Sequence, residues 1–410
     1  MNTQAALLLV AGFLAQLALA AHWSVTGPEA LWWATAASAL PPEPLWVRAP
    51  GLVLHLLVVA LMMPFATHPR RFVVLAQCTP ALGGVALFGT AAGWASGVWG
   101  LALVATLHGG RGHAVAGALV GLGIGLGPDV ASTLLVLPLA ALAGMDDRTR
   151  RTPWPWLGLL GALLGAGAWG VEPPGVEVTL GALVVRQLQW SAPLLGLAWG
   201  VALLRGPRDA VSTWARWLSA PVLLGATVSA AVGWGTPPGA VAFGWWGAAL
   251  LVARDDGPGG RLGEVGAWLA PVLALAVVVH VERSVAPLRP DPATPLWAAD
   301  SLGDDAVRWA MPVGVPRHDP RAAEALPIRT DRAETAAWIR MQTGIPAMVA
   351  DGCGSADDPG IGTGEAVWVS WGEPTCVPTT WSLGGLRASV VHSPDGRAVG
   401  AWYWGPLTPR

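Results

Sequence analysis

Between residues 5 and 281 the chain is a succession of apolar runs, each ended by Pro, Gly or Arg, and this spacing constrains the fold more than any other feature. The runs lie near 5–21, 49–66, 72–88, 91–108, 114–127, 129–145, 155–171, 189–204, 217–233, 239–253 and 265–281. In hydrocarbon every backbone N–H and C=O must be paired internally, which helices of about 20 residues achieve. The pattern therefore predicts an all-α polytopic membrane protein of about ten or eleven transmembrane helices. With 53% hydrophobic and 12% charged residues over 410 positions, the chain has too little charge to cover a soluble globule. Net charge is only −2 and there is no long basic run, which excludes nucleic acid as a partner.

Segment 113–145 decides the parity of the spans. As one helix it would be about 50 Å long, well beyond a hydrocarbon core of about 30 Å. It has to fold back, and Gly127-Pro128-Asp129 supplies the break. With the N-terminus inside, the inner loops hold Arg70, Arg71, Arg111, Arg148, Arg150, Arg151, Arg205, Arg208, Arg216, Arg254 and Arg261, against Arg48 and Arg186 outside. That asymmetry is a strong positive-inside bias. It delivers residue 282 onward to the extracytoplasmic side, and the chain reads as a membrane domain 1–282, a Pro-rich linker 283–296 and a small α+β domain 297–410.

The outer domain carries its own signals. Asp331 and Glu334 have capping-box spacing ahead of the apolar stripe Ala337, Trp338 and Met341, which predicts a short helix. Residues 345–350 and 365–371 read as strands, and 385–392 with 397–404 as a hairpin across Ser393-Pro394-Asp395-Gly396. Cys353 and Cys376 fall in this domain, where an oxidising compartment permits a disulfide worth roughly 3 kcal/mol; two free thiols are the alternative, because spacing does not fix connectivity.

Four stretches together resemble the GT-C superfamily of integral-membrane glycosyltransferases, in the bacterial branch similar to protein O-mannosyltransferases and aminoarabinose transferases. They are Thr26-Gly27-Pro28-Glu29-Ala30-Leu31-Trp32-Trp33 after the first span, Pro41-Pro42-Glu43-Pro44-Leu45 before the second, the hairpin from Arg111 to Arg151, and Glu334 to Gly352 opening the tail. Where the family shows an acidic pair this chain has Pro28 and Glu29, so one acid stands alone, as in a degenerate relative.

The resemblance implies a bacterial inner-membrane protein whose donor is a polyprenyl-phosphate sugar. It also implies a carboxylate at the outer face that takes the proton of an acceptor hydroxyl. Glu29 is the candidate base and Asp129, at the hairpin tip, its candidate partner, with both as ordinary solvated loop acids the alternative. Arg48 and Arg186 are the cations available to a lipid phosphate, or else snorkelling anchors. His22, Trp32 and Trp33 are candidates to line the sugar groove. No metal is indicated, although Asp129 leaves a divalent ion open as cofactor. An ion-coupled carrier needs charge inside its spans, and these have essentially none. The rival from another class is a non-catalytic membrane scaffold that displays the C-terminal domain to a protein partner.

Overall fold

The computed structural model describes residues 3–22, 29, 32–34, 44–87, 91–126, 147–169, 193–231, 238–285, 328–343, 347–349, 366–371, 381–383, 387–392 and 398–409. The expected span near 129–145 and the linker beyond residue 285 lie outside the described residues. Contacts divide the chain into two units, residues 1–20 with 48–277 and residues 21–47 with 278–410.

The helices follow the apolar runs closely. They are α1 (Thr3–His22), α2 (Pro44–Met62), α3 (Pro69–Cys78), α4 (Ala91–Leu107), α5 (Gly112–Leu126), α6 (Trp154–Trp169), α7 (Pro193–Arg205), α8 (Ala210–Ala231), α9 (Pro238–Arg254) and α10 (Pro258–Val285). Five of them begin at a proline, which costs nothing there because the first N–H of a helix has no partner within it. The run near 72–88 is not one helix. It breaks at Thr79, continues as a π-turn over Pro80–Gly84 and closes with a short helical turn Val85–Leu87.

In the first unit α9 is the central element. Trp245, Trp246 and every residue from Ala248 to Ala253 are buried, as expected of a helix apolar all round. Phe72, Leu75, Leu82, Trp99 and Leu103 complete the surrounding core. The outside is apolar as well. On α10 the residues Val265, Trp268, Val272 and Leu275 form a row at helical spacing and are 51%, 63%, 63% and 62% exposed, an apolar stripe on the outside of this unit. Thr3–His22 and Leu45–Phe65 are each long and apolar enough to cross a bilayer, with Gly93–Leu107, Gly112–Gly123, Trp154–Gly165 and Leu194–Arg205 as shorter apolar helices among the described residues.

Glycines set the closest helix contact. A Cβ at Gly117 of α5 would lie 1.9 Å from the Gly158 carbonyl oxygen of α6, and one at Gly165 would lie 2.4 Å from the Gly121 Cα. The contacts advance together along both helices, so α5 and α6 run parallel. Gly121 and Gly123 thus serve helix packing, as their place in an apolar run suggests; a Cβ at Gly123 would strike the Trp99 ring.

In the second unit, strands β1 (Ile328–Thr330), β2 (Ala347–Val349), β3 (Ala366–Trp371), β4 (Trp381–Leu383), β5 (Arg387–His392) and β6 (Ala398–Pro409) form one sheet in the order β2-β1-β3-β6-β4, with β5 also on β6. The predicted hairpin is β5–β6, antiparallel from Arg387↔Trp404 with an irregularity at Val391/His392. β1 and β2 are parallel, joined across helix α11 (Ala333–Thr343). The helix begins two residues after Asp331, whose buried carboxylate accepts the Ser370 hydroxyl at 2.8 Å and so ties β1 to β3.

Candidate functional site

The expected outer-face residues have distinct environments. Arg48, on the first turns of α2, is fully buried and its Nη1 donates to the Ala20 carbonyl at 2.9 Å. Ala20 sits in the last turn of α1, where carbonyls lack helical partners and the helix dipole is negative, so a guanidinium there caps the helix. This replaces the expectation of a snorkelling anchor, because a snorkelling head group stays in water. Arg48 is a clamp between the ends of α1 and α2.

Glu29 is also fully buried, which overturns the alternative of a solvated loop acid. A carboxylate out of bulk water persists only where polar groups around it satisfy its oxygens. Trp32 and Trp33 lie close behind it in sequence and are half-buried, while His22 is exposed in the last turn of α1. Asp129, Arg186, Cys353 and Cys376 lie outside the described residues. Among the described residues no three His, Cys, Asp or Glu side chains converge to hold a metal ion.

A second polar constellation, which the span reading passed over, occupies the arginine-rich end of the helical unit. Arg71 at the start of α3 is 7% exposed. Its Nη1 donates to the carbonyls of Val252 (3.1 Å) and Asp255 (2.9 Å), and its Nε to Glu264 Oε2 of α10 at 3.1 Å. The Asp255 carboxylate accepts the N–H groups of Gly257 (2.8 Å) and Gly260 (2.9 Å), capping α10. Arg254 donates to Asp209 at 2.9 Å and to the Ser212 hydroxyl at 3.1 Å, and it also reaches the Phe65 carbonyl. His68 meets Asp256 at 2.5 Å. Arginines expected as topological anchors are therefore the mortar between α3, α8, α9 and α10. The Asp209-Ala-Val-Ser and Asp255-Asp-Gly-Pro steps carry an N-cap signal that could have found the two aspartates, though not their arginine partners.

Two expectations follow. Arg71→Ala leaves two carbonyls without their charged donor, and it should cost about 2–3 kcal/mol, read as a lowered unfolding midpoint in detergent. For Asp209, partial burial pushes the carboxyl up, but the Ser212 hydroxyl and amide together with Arg254 outweigh it and hold the group below its ordinary value. The stability it contributes is thus present above the usual carboxylate pKa of about 3.9 and is lost as pH falls through the lower folded value. Asp209→Asn should flatten that acid limb when unfolding midpoints are compared between about pH 6 and about pH 3.

The chain is similar in fold to a solved structure. The crystal structure of ArnT from Cupriavidus metallidurans bound to undecaprenyl phosphate matches it with a TM-score of 0.59, over 99% of this chain and 98% of that one. The chain has a GT-C-like fold. Sequence identity is 14%, so the GT-C-like likeness is one of architecture, the helices and the C-terminal sheet domain included. No family model and no curated protein matches the sequence.

Proposed function

We propose that this chain is a membrane glycosyltransferase that moves a sugar from a polyprenyl-phosphate donor to an acceptor hydroxyl at the outer membrane face. The observation that carries the reading is the end-to-end match to ArnT, a protein solved with undecaprenyl phosphate bound. In this reading the buried Glu29, which follows α1 in the sequence, takes the proton of the acceptor hydroxyl as it attacks the anomeric carbon. The lipid phosphate leaves with the electron pair of the broken glycosidic bond. Asp129 assists the base, and Arg186 is the cation that meets the phosphate. Arg48 acts as a positioning residue, holding the ends of α1 and α2 that flank the Glu29 loop. His22, Trp32 and Trp33 contribute to the groove for the sugar, and the C-terminal α+β domain lies outside the cytoplasm.

Purified protein in lipid nanodiscs, supplied with polyprenyl-phosphate hexoses and a hydroxyl acceptor from a lipid extract, should transfer the hexose to that acceptor and release the polyprenyl phosphate. The scaffold reading draws on one observation, that Arg48 is engaged with the Ala20 carbonyl. It wins if donor turnover or the associated glycan phenotype is indifferent to Glu29→Gln and Asp129→Asn while deletion of 290–410 abolishes function.

A further inference from the structure

The break after α3 places polar groups in the buried interior of the helical unit. From Pro69 to Thr79 the chain climbs about 15 Å at 1.5 Å per residue. There the helix stops. Pro80 has no N–H to offer, and the Thr79 carbonyl instead accepts the N–H groups of Leu82 at 3.0 Å and Gly83 at 2.9 Å in the π-turn.

Across this break, α1 presents Gln16, buried like Gln77 and Thr79. The Gln16 Nε2 lies 3.4 Å from the Gln77 carbonyl and 3.5 Å from that of Gly83, both at the long limit for hydrogen bonds. Four further polar atoms find no partner among the described residues: Gln16 Oε1, Gln77 Nε2, Gln77 Oε1 and Thr79 Oγ1. Two glycines keep the space open. A Cβ at Gly83 would fall 1.9 Å from the Gln77 carbonyl oxygen and 2.9 Å from Gln16 Nε2, and one at Gly12 would press on the Gln77 side chain at 3.2 Å.

We infer that the break at Thr79 is a hydrated intramembrane site, in which ordered water is held jointly by the Gln16 and Gln77 carboxamides and the Thr79 hydroxyl. Unpaired amide and hydroxyl groups in hydrocarbon cost several kcal/mol each, so the cluster demands a ligand. The donor set selects which. Two carboxamides and a hydroxyl offer both hydrogens and lone pairs and carry no charge, which matches water with its two to four polar partners. A metal cation would use only the oxygens and leave the Gln77 N–H groups without acceptors. Water here also replaces helix hydrogen bonds forfeited at Pro80, making the break a hinge between α3 and the π-turn.

The experiment is radiolytic hydroxyl-radical footprinting of the full chain in nanodiscs prepared in H2(18)O, which labels side chains beside ordered internal water. In the wild type, residues 76–84, Cys78 first among them, should take up label severalfold faster than the exposed leucines Leu157, Leu160, Leu163 and Leu164 of α6. Gln77→Leu should lower that labelling to the level of these leucines and also lower the unfolding midpoint. Labelling at 76–84 no faster than at these four leucines in the wild type overturns the inference, whatever the variant does. So does a Gln77→Leu protein that is as stable as the wild type or more so, because removing polar atoms that bind nothing relieves a penalty. An unfolding midpoint that rises saturably when sodium replaces choline makes the ligand a cation and likewise overturns it.

Discussion

On the proposed glycosyltransferase reading, Glu29→Gln should lower kcat for sugar transfer by about 10²- to 10⁴-fold while leaving the donor KM and the unfolding midpoint close to those of the parent protein. Gln keeps the shape and one acceptor oxygen of the buried side chain but cannot receive a proton, so it isolates the base from its packing. Glu29 is the informative target because it is fully buried and falls between α1 and α2 in the sequence. Those helix ends are themselves locked by Arg48 on the Ala20 carbonyl. Arg48→Lys provides the contrast. A lysine reaches the same carbonyl with one ammonium in place of a planar fork, so it should perturb donor binding and helix docking together, and raise KM more than it lowers kcat. Turnover of a polyprenyl-phosphate hexose by purified protein reads both. A Glu29→Gln enzyme with parental kcat removes Glu29 from the chemistry.

Most of the helical architecture is legible because hydropathy and punctuation agree. The runs near 5–21, 91–108 and 155–171 are α1, α4 and α6 to within a few residues, each bounded by polar or helix-breaking positions. Where the reading slips, a long-range partner is the reason. The run near 265–281 grows into α10 from Pro258 because Asp255 caps its first turn and Arg71, from α3, neutralises Glu264 within it. No local pattern reveals a partner 193 residues away. The run near 72–88 splits at Thr79 because Pro80 withholds an N–H, a signal that is present in the sequence but hidden by apolar neighbours.

The sheet divides in the same way. Hairpin β5–β6 is legible from Ser-Pro-Asp-Gly between alternating runs, whereas β1 and β4 are three residues each and exist only because β3 and β6 pair with them. Glu29 can be named as a candidate from its place after the first span, whereas its burial cannot be read from the sequence. Arg48 was legible as a cation and illegible as a clamp, since its partner is a backbone carbonyl 28 residues earlier.

The largest structural effect belongs to the α5–α6 seam. Gly117 and Gly121 on one helix face Gly161 and Gly165 on the other, two small-xxx-small pairs, and a Cβ at Gly121 would lie 2.8 Å from the Gly161 carbonyl oxygen. In lipid no hydrophobic force draws two helices together, so their association rests on this backbone fit and the dispersion it permits. The obstacle to a side chain at Gly117 is a carbonyl 1.9 Å away, which cannot rotate aside as a flexible side chain can. Gly117→Ala should therefore exceed the gain in helix propensity, about 1 kcal/mol, and cost a net of about 3 kcal/mol. Gly117→Leu, which forces the helices apart along their length, should leave no monodisperse protein after detergent extraction. Gly200 on α7 is the matched control: a Cβ there meets nothing within 4 Å, so Gly200→Ala should leave the unfolding midpoint unchanged or raise it slightly. Size-exclusion profiles and thermal unfolding of the three variants separate the cases. A Gly117→Ala protein as stable as the Gly200→Ala control would show that α5 and α6 do not meet backbone to backbone.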